Sequence, residues 1–308
     1  DKNKNGIAFI DVSTGEFLIA EGSIEYINKL IKSFNPSEIL HLKRKRRNII
    51  EILHDEYHLF GMEDWVFTHD FGNESLLKHF KVRSLKGFGI QPNNTGIVAA
   101  GAILEYLSNT EHNNLEHVSN LKNIESDSFV WIDQFTIRNL EILHPTHHSG
   151  HSLISIMDKS ITPMGGRMLR NWVILPLKNI EKINERLEVV ESYIKNPLFS
   201  DIIKEQLDAI SDLERLISKV SLRKINPREF KQLSRAIEAV NLIKAQIKKD
   251  KLKAFEPFNT DLHNLSDLKD IIDKRLNEEP PVALEKGNVI REGISKDLDE
   301  LREIRYSG

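Results

Sequence analysis

The hydrophobic pattern of this chain changes its period near Asp133, and that change limits the folds open to it. Before Asp133, short segments with strand character alternate with segments that have one apolar helical face. After it, the spacing is that of helices almost without interruption as far as Pro280. Alternating strands and helices favour a sheet covered by helices, and sustained helical spacing favours a bundle. We therefore predict an α/β domain before this change of period and an all-α domain after it.

The α/β part is predicted to begin with a β-hairpin. Residues 7–12 and 16–20 have strand character around a Ser13-Thr14-Gly15 turn. Ser23 is expected to cap a helix that Asn35-Pro36 ends. Further elements are expected as a strand at 37–42 and helices at 48–54, 73–80 and 96–107.

The helical part contains a longer series of elements. Apolar residues at 180, 183, 187, 190 and 194 predict one amphipathic helix. Asp212 is expected to cap another helix, and Asn226-Pro227 to begin the longest one. The sequence also predicts a helix over 261–277, a hairpin over 282–290 and a final helix capped by Ser295.

Residues 160–177 carry the signals of a single helix with a defined start and stop. Thr162 suits the N-cap and Pro163 the first helical position, while Pro176 lacks an amide hydrogen and must end the helix. Gly165 and Gly166 in the first turn predict close approach of another backbone, since glycine weakens a helix. Two sets of side chains are expected on its faces: Met168, Leu169, Trp172 and Val173 on the buried one, Arg167 and Arg170 nearer the other.

Composition narrows the class of protein. A length of 308 residues suits two domains, and no apolar run is long enough to span a membrane. The chain has no cysteine, which fits a reducing cytoplasm, and it begins without methionine, as an excised piece would. The net charge of −3 argues against a dedicated nucleic-acid-binding domain. The basic run Lys43–Arg47 is interpreted as a solvated loop, with phosphate contact as the alternative.

Three patterns bear on chemistry. The chain lacks the glycine-rich lysine motif of phosphate-binding loops, so we expect it neither to bind nor to hydrolyse ATP. Four histidines are close in sequence with no carboxylate among them, namely His144, His147, His148 and His151. We expect them to be surface residues and not a metal site.

Asp11 is expected to be a turn residue. The alternative is a magnesium-dependent nuclease in which Asp70 and Glu105 assist Asp11.

Eight separated motifs of this chain together indicate one family. Four lie in the first part, namely GIAFIDVSTGEF from Gly6, FNPSEIL from Phe34, LKGFGI from Leu85 and GIVAAGAILEYL from Gly96. Four lie in the second part, namely IDQFTIRNLEIL from Ile132, SLISIMDKSITPMGGRMLRNWVILPL from Ser152, DLERLISKVSLRKINPREF from Asp212 and PPVALEKGNVIREGISKDLDELREI from Pro280. In this order they resemble the MutS family of bacterial DNA mismatch-recognition ATPases.

The resemblance implies a ribonuclease H-like connector over 1–123, a helical core or lever domain over 124–281 and the start of a clamp over 282–308. It also implies that the mismatch-reading domain and the ATPase, with its ATP and magnesium, lie outside this chain. The chain itself would then be a non-enzymatic module without a cofactor. It would couple nucleotide state to the grip on mismatched DNA in a protein that pairs with a second subunit.

In the family the connector contacts the partner protein MutL. The stretch similar to the relevant helix start carries Asn73, Glu74 and Ser75, with Asn73 expected to cap the helix and the other two to lie on its exposed first turn. Leu76, Leu77 and Phe80 would anchor the opposite face. The alternative is an ordinary solvated helix start.

Overall fold

The computed structural model describes residues 4–53, 57–110, 114–125, 128–130, 132–147 and 149–307. Packing divides the chain into two compact units. The first unit holds residues 1–159 with 167–180, and the second holds 160–166 with 181–308. The first is mixed α/β and the second is helical. The predicted domain limits at 123 and 281 differ from this division and stay predictions.

The strand β2 (Glu16–Gly22) is the middle strand of a three-stranded sheet in the first unit. It pairs antiparallel with β1 (Asn5–Asp11), as the predicted hairpin requires, and parallel with β5 (Lys122–Asn123). Alternate side chains of β2 enter different hydrophobic clusters, Phe17 and Ile19 one, Leu18 and Ala20 another. Because successive residues of a strand point to opposite faces, this sheet is covered on both sides.

A second, parallel sheet consists of β3 (Glu38–Leu42) and β4 (His58–Met62). The helix α1 (Ile24–Phe34) precedes β3, and Ser23 caps it by accepting a hydrogen bond from the Tyr26 amide, as predicted. In the sequence, the helix α2 (Arg46–Leu53) connects β3 to β4. The basic run 43–47 is exposed, as expected, but it forms a 3-10 turn and the start of α2 instead of a loop.

Two glycines allow the helices α3 (His69–Phe80) and α4 (Gly96–Asn109) to cross at very short range. A Cβ atom added to Gly101 would lie 2.4 Å from the Cα of Gly72, and one added to Gly72 would lie 2.6 Å from the Ile97 carbonyl oxygen. This close approach was not predicted from the sequence, which pointed to Gly165 and Gly166 instead. At Gly165 an added Cβ would instead meet only side chains, of Thr162 and Ser160, so that expectation was wrong there.

Three shorter helices complete the first unit: α5 (Gln134–Asn139), α6 (Leu153–Met157) and most of α7 (Pro163–Ile174). Asp133 caps α5 by accepting a hydrogen bond from the Thr136 amide at 3.0 Å. Residues 128–130 pair with 176–178 after α7, through the hydrogen bond from Val130 N to Pro176 O at 2.7 Å.

The second unit is built around the 24-residue helix α11 (Pro227–Asp250). Asn226 and Glu229 form a reciprocal capping box at its start, with distances of 3.0 and 2.9 Å. The remaining helices are α8 (Ile180–Lys195), α9 (Pro197–Asp208), α10 (Leu213–Ser221), α12 (Glu256–Asp261), α13 (Ser266–Arg275) and α14 (Lys296–Ser307). The predicted caps at Asp212 and Ser295 are confirmed.

Two predictions for this unit were wrong. The helix predicted over 261–277 is shorter, since α12 ends at Asp261 and α13 runs from Ser266 to Arg275. Between them, the Asn264 side chain accepts hydrogen bonds from the amide and hydroxyl of Ser266. The predicted hairpin over 282–290 does not form, since Ile290 pairs antiparallel with Leu276. A 3-10 turn occupies residues 284–286 instead.

Candidate functional sites

The helix α3 carries the residues predicted to contact a partner protein. Thr68 caps α3 through a 3.4 Å hydrogen bond from the Phe71 amide, so the prediction that Asn73 is the cap was wrong. Asn73, Glu74 and Ser75 lie inside the helix, past its first turn. Glu74 is exposed, whereas Asn73 and Ser75 are half-buried.

The opposite face of α3 anchors it as predicted. Leu76 is fully buried, and Leu77 and Phe80 pack against the same hydrophobic cluster. The carboxylate of Glu74 is therefore presented to solvent by a helix that its inner face holds in place. Signals for the true start were present in the sequence, since Thr68 is a good N-cap and Asp70 suits a first turn.

The junction helix α7 begins as predicted. The Thr162 hydroxyl accepts a hydrogen bond from the Gly165 amide at 3.1 Å, Pro163 is the first helical residue, and the helix ends at Ile174 before Pro176. The Gly166 amide donates to the Thr162 carbonyl at 3.1 Å. Arg167 is half-buried on the next turn.

The buried face predicted for α7 was wrong. Met168 is 55% exposed and Trp172 is 41% exposed, while Leu169 and Val173 are half-buried. The side chains of α7 that pack in hydrophobic clusters lie near its two ends instead. Met164 packs in the main cluster of the second unit, and Val173 and Ile174 pack in a small cluster of the first.

The remaining candidates have simpler local roles. Asp11 is exposed and accepts hydrogen bonds from the amide and hydroxyl of Ser13, at 2.8 and 2.7 Å, as the predicted turn residue. Of the four histidines, His148 lies outside the described residues, and His144, His147 and His151 are exposed. Among the residues that the structure describes, no three His, Asp or Glu side chains come together as a metal site would require.

Sequence reasoning missed one polar cluster. The Asp273 carboxylate on α13 receives hydrogen bonds from Lys231 and Ser234 of α11 and from Lys269, at 2.5, 2.8 and 2.9 Å. Burial alone would raise the pKa of Asp273, but these hydrogen bonds outweigh it and hold that pKa well below its usual range. Lys269 and Asp273 are a helical i,i+4 pair that the sequence could have signalled, whereas the α11 partners are distant in sequence.

None of the described helices is long and apolar enough to cross a membrane. An α/β part followed by a helical part built on one long helix defines a two-part protein of mixed class. Comparison with known proteins makes the assignment narrower. Residues 1–119 match the family model of MutS domain II, and residues 135–306 match that of MutS domain III.

Comparison with complete protein sequences supports the same family. The chain is 44% identical over 307 residues to the DNA mismatch repair protein MutS of Christiangramia forsetii, covering 100% of this chain and 35% of that protein. It is 43% identical over 307 residues to MutS of Bacteroides fragilis, covering 100% and 36%, and 46% identical over 303 residues to MutS of Flavobacterium psychrophilum, covering 98% and 35%. The chain belongs to the MutS family. It spans about a third of the length of the curated relatives it matches.

Proposed function

We propose that this chain is the connector and core part of a DNA mismatch repair protein and transmits changes between the protein's grip on DNA and its ATPase. The observation that carries this proposal is the order of matches, domain II and then domain III, over nearly the whole chain. ATP, magnesium, mismatched DNA and a second subunit would be bound with the help of domains outside these residues. The chain would itself be non-enzymatic.

The stiffness of α11 supports a transmitting role. Its 24 residues extend about 36 Å at 1.5 Å per residue. Buried residues along it pack in the main cluster of the unit, and Asp273 ties it to α13. Coupling between distant sites needs packed elements that move as units, and a long braced helix meets that requirement.

Exposed apolar side chains on α8 support a role inside a larger protein. The predicted stripe is helical as expected, but Ile180, Leu187, Val190 and Ile194 are between 52% and 73% exposed. The helix contacts the core through Val189 and Tyr193 instead. An apolar stripe of this kind is typical of a surface that another segment covers, and we propose that the longer protein supplies that segment.

We further propose that the first domain is ribonuclease H-like. The hairpin β1–β2, the helix α1 and the alternation of β3, α2 and β4 support this assignment. The nuclease alternative would need Asp11 in a metal site. It predicts magnesium-dependent cutting of a labelled duplex that Asp11→Asn abolishes, and we expect no cutting by either form.

The proposed coupling between nucleotide and DNA binding is tested by lowering the helix stability of α11 in the full-length protein. Arg235 and Leu242 are exposed on this helix, and each glycine there costs about 1 kcal/mol of helix stability relative to alanine. In Arg235→Gly with Leu242→Gly, we expect the effect of nucleotide on DNA affinity to fall several-fold. DNA affinity without nucleotide and ATP hydrolysis without DNA should both stay within about twofold, since neither site is touched.

The matched control replaces the same two side chains with alanine, which removes the same contacts and preserves the helix. Equal coupling in the glycine and alanine pairs would show that α11 does not carry the signal.

We also propose that α3 presents the docking surface for a MutL-type protein. In the full-length protein, Glu74→Lys should weaken recruitment of that partner about tenfold in a pull-down, because it reverses an exposed charge at the contact. Mismatch binding should be unchanged. Lys29→Glu, an exposed charge reversal on α1, is the control. If recruitment survives both Glu74→Lys and Ser75→Arg, the docking surface lies elsewhere on the connector.

A further inference from the structure

The first compact unit contains a cavity of about 450 Å³ in which basic side chains surround an apolar floor. Four segments form it, namely the end of α1, the second half of α5, residues 143–146 and the second half of α7. Lys32, Arg138 and Arg170 supply the positive charge. Phe34, Ile137 and Ile174 supply apolar surface, and both isoleucines are buried.

Positive charge is in excess at this cavity. None of its described lining residues is acidic, and the one described carboxylate bonded to its lining is that of Glu141, which accepts a hydrogen bond from the Thr146 amide at 2.8 Å. Within the described part of the chain, the side chains of Lys32, Arg138 and Arg170 form neither an ion pair nor a hydrogen bond. Three cations against the single carboxylate of Glu141 leave the cavity positive, which favours the binding of an anion.

Helix dipoles explain only part of this arrangement. Lys32 and Arg138 lie in the last turns of α1 and α5, where the helix dipole stabilises a cation. Arg170 lies before the last turn of α7, so the dipole of that helix does not account for its charge.

We propose that this cavity binds an acidic peptide segment of a partner protein. Aspartate or glutamate carboxylates would pair with the guanidinium groups of Arg138 and Arg170, whose planar donors match a carboxylate in bidentate geometry. An apolar side chain of the peptide would lie against Phe34, Ile137 and Ile174. Phosphate ligands are less suited, because they favour the amide groups of helix N-termini and this cavity is lined by helix C-terminal halves.

This surface involves different residues from the α3 surface proposed above. Loss of MutL-type binding at α3 would therefore leave the cavity able to bind an acidic peptide. Loss of peptide binding at the cavity would likewise leave α3 able to bind a MutL-type protein. The two proposals are tested separately.

The probe is a fluorescein-labelled synthetic peptide with the sequence Glu-Asp-Leu-Asp-Glu, titrated with the 308-residue chain and followed by fluorescence anisotropy at low salt. We expect it to bind at least about tenfold more tightly than its neutral analogue Gln-Asn-Leu-Asn-Gln, since only the acidic form pairs with the two arginines. Replacement of leucine by glycine in the peptide should weaken binding about fivefold through loss of the apolar contact.

The protein variant is Arg138→Glu with Arg170→Glu, which should weaken binding of the acidic peptide at least about tenfold. The control is Arg83→Glu with Lys86→Glu, which makes the same change in net charge at exposed positions in a segment that does not line the cavity. Circular dichroism and the thermal midpoint verify that both variants fold.

Two results would overturn the proposal. One is equal loss of binding in the cavity variant and the control, which would reduce the effect to net charge. The other is calorimetric binding of inorganic phosphate, lost in the cavity variant, with the acidic peptide no tighter than its neutral analogue. That result would identify a phosphate site in place of a peptide site.

Discussion

The Asp273 carboxylate lies in an environment unlike that of an ordinary surface carboxylate. Its side chain is 27% exposed, and Lys231, which is 12% exposed, pairs with it from α11. A lysine with so little exposure is costly to leave without its partner, because the remaining charge is poorly solvated and unpaired. The cluster therefore contributes to holding α13 against α11.

We predict that Asp273→Asn lowers the free energy of unfolding by about 1–3 kcal/mol at pH 7, since it removes charge-assisted hydrogen bonds from two lysines. The pKa of Asp273 is lowered on folding, so its contribution is complete above the pKa of the unfolded carboxyl, about 4. That contribution is lost as the pH falls through the folded-state value. The stability difference between the two proteins should therefore shrink below pH 4 in urea titrations.

Asp201→Asn is the control for this prediction, because Asp201 is exposed on α9 and belongs to no such cluster. If Asp201→Asn and Asp273→Asn shift the unfolding midpoint equally, the lysine cluster does not stabilise the fold.

At the scale of elements, the crossing of α3 and α4 depends on two residues without side chains. Gly72 and Gly101 face each other, and Gly72 is buried against the start of α4. The same helix α3 carries Glu74 on its exposed side. The position of the proposed docking surface is therefore determined by how closely α3 approaches α4.

We predict that Gly101→Ala destabilises the chain by about 1–2 kcal/mol. The new methyl group would lie 2.4 Å from the Cα of Gly72, an overlap with backbone that costs about 2–3 kcal/mol and exceeds the gain of up to about 1 kcal/mol in helix propensity. Urea denaturation measures the difference. Gly87→Ala is the control, because an added Cβ there meets no atom within 4 Å, and we expect a change of less than about 0.5 kcal/mol. A neutral Gly101→Ala would mean that the two helices separate freely.

At the scale of the whole molecule, the balance of charge predicts weak contact with DNA. The chain has 43 lysines and arginines against 46 acidic residues, so it releases few counterions from DNA. We expect the isolated chain to bind a duplex more weakly than micromolar at physiological salt, with no preference for a mismatch. Anisotropy with matched homoduplex and mismatched duplex measures both, and submicromolar selective binding would contradict the prediction.

Local chemistry explains which features the sequence predicted well. The starts of α1, α7, α10 and α11 depend on bonds between a cap residue and an amide three positions later, so Ser23, Thr162, Asp212 and Asn226 were sufficient signals. Where two signals competed nearby, the prediction was wrong, as at α3, which starts from Thr68 and not Asn73. The family itself was predicted from motifs and is confirmed by both domain matches.

Local patterns along the chain were enough to predict the two structural classes, several helix starts and the family. Which faces are buried and which distant residues meet depends on packing between elements. The stripe on α8 is apolar but exposed, and Ile290 pairs with Leu276 instead of closing a hairpin. Lys32, Arg138 and Arg170 share one cavity although more than 100 residues separate the first from the second. Periodicity specifies a face within one element, whereas the partner of that face depends on packing between elements far apart in sequence.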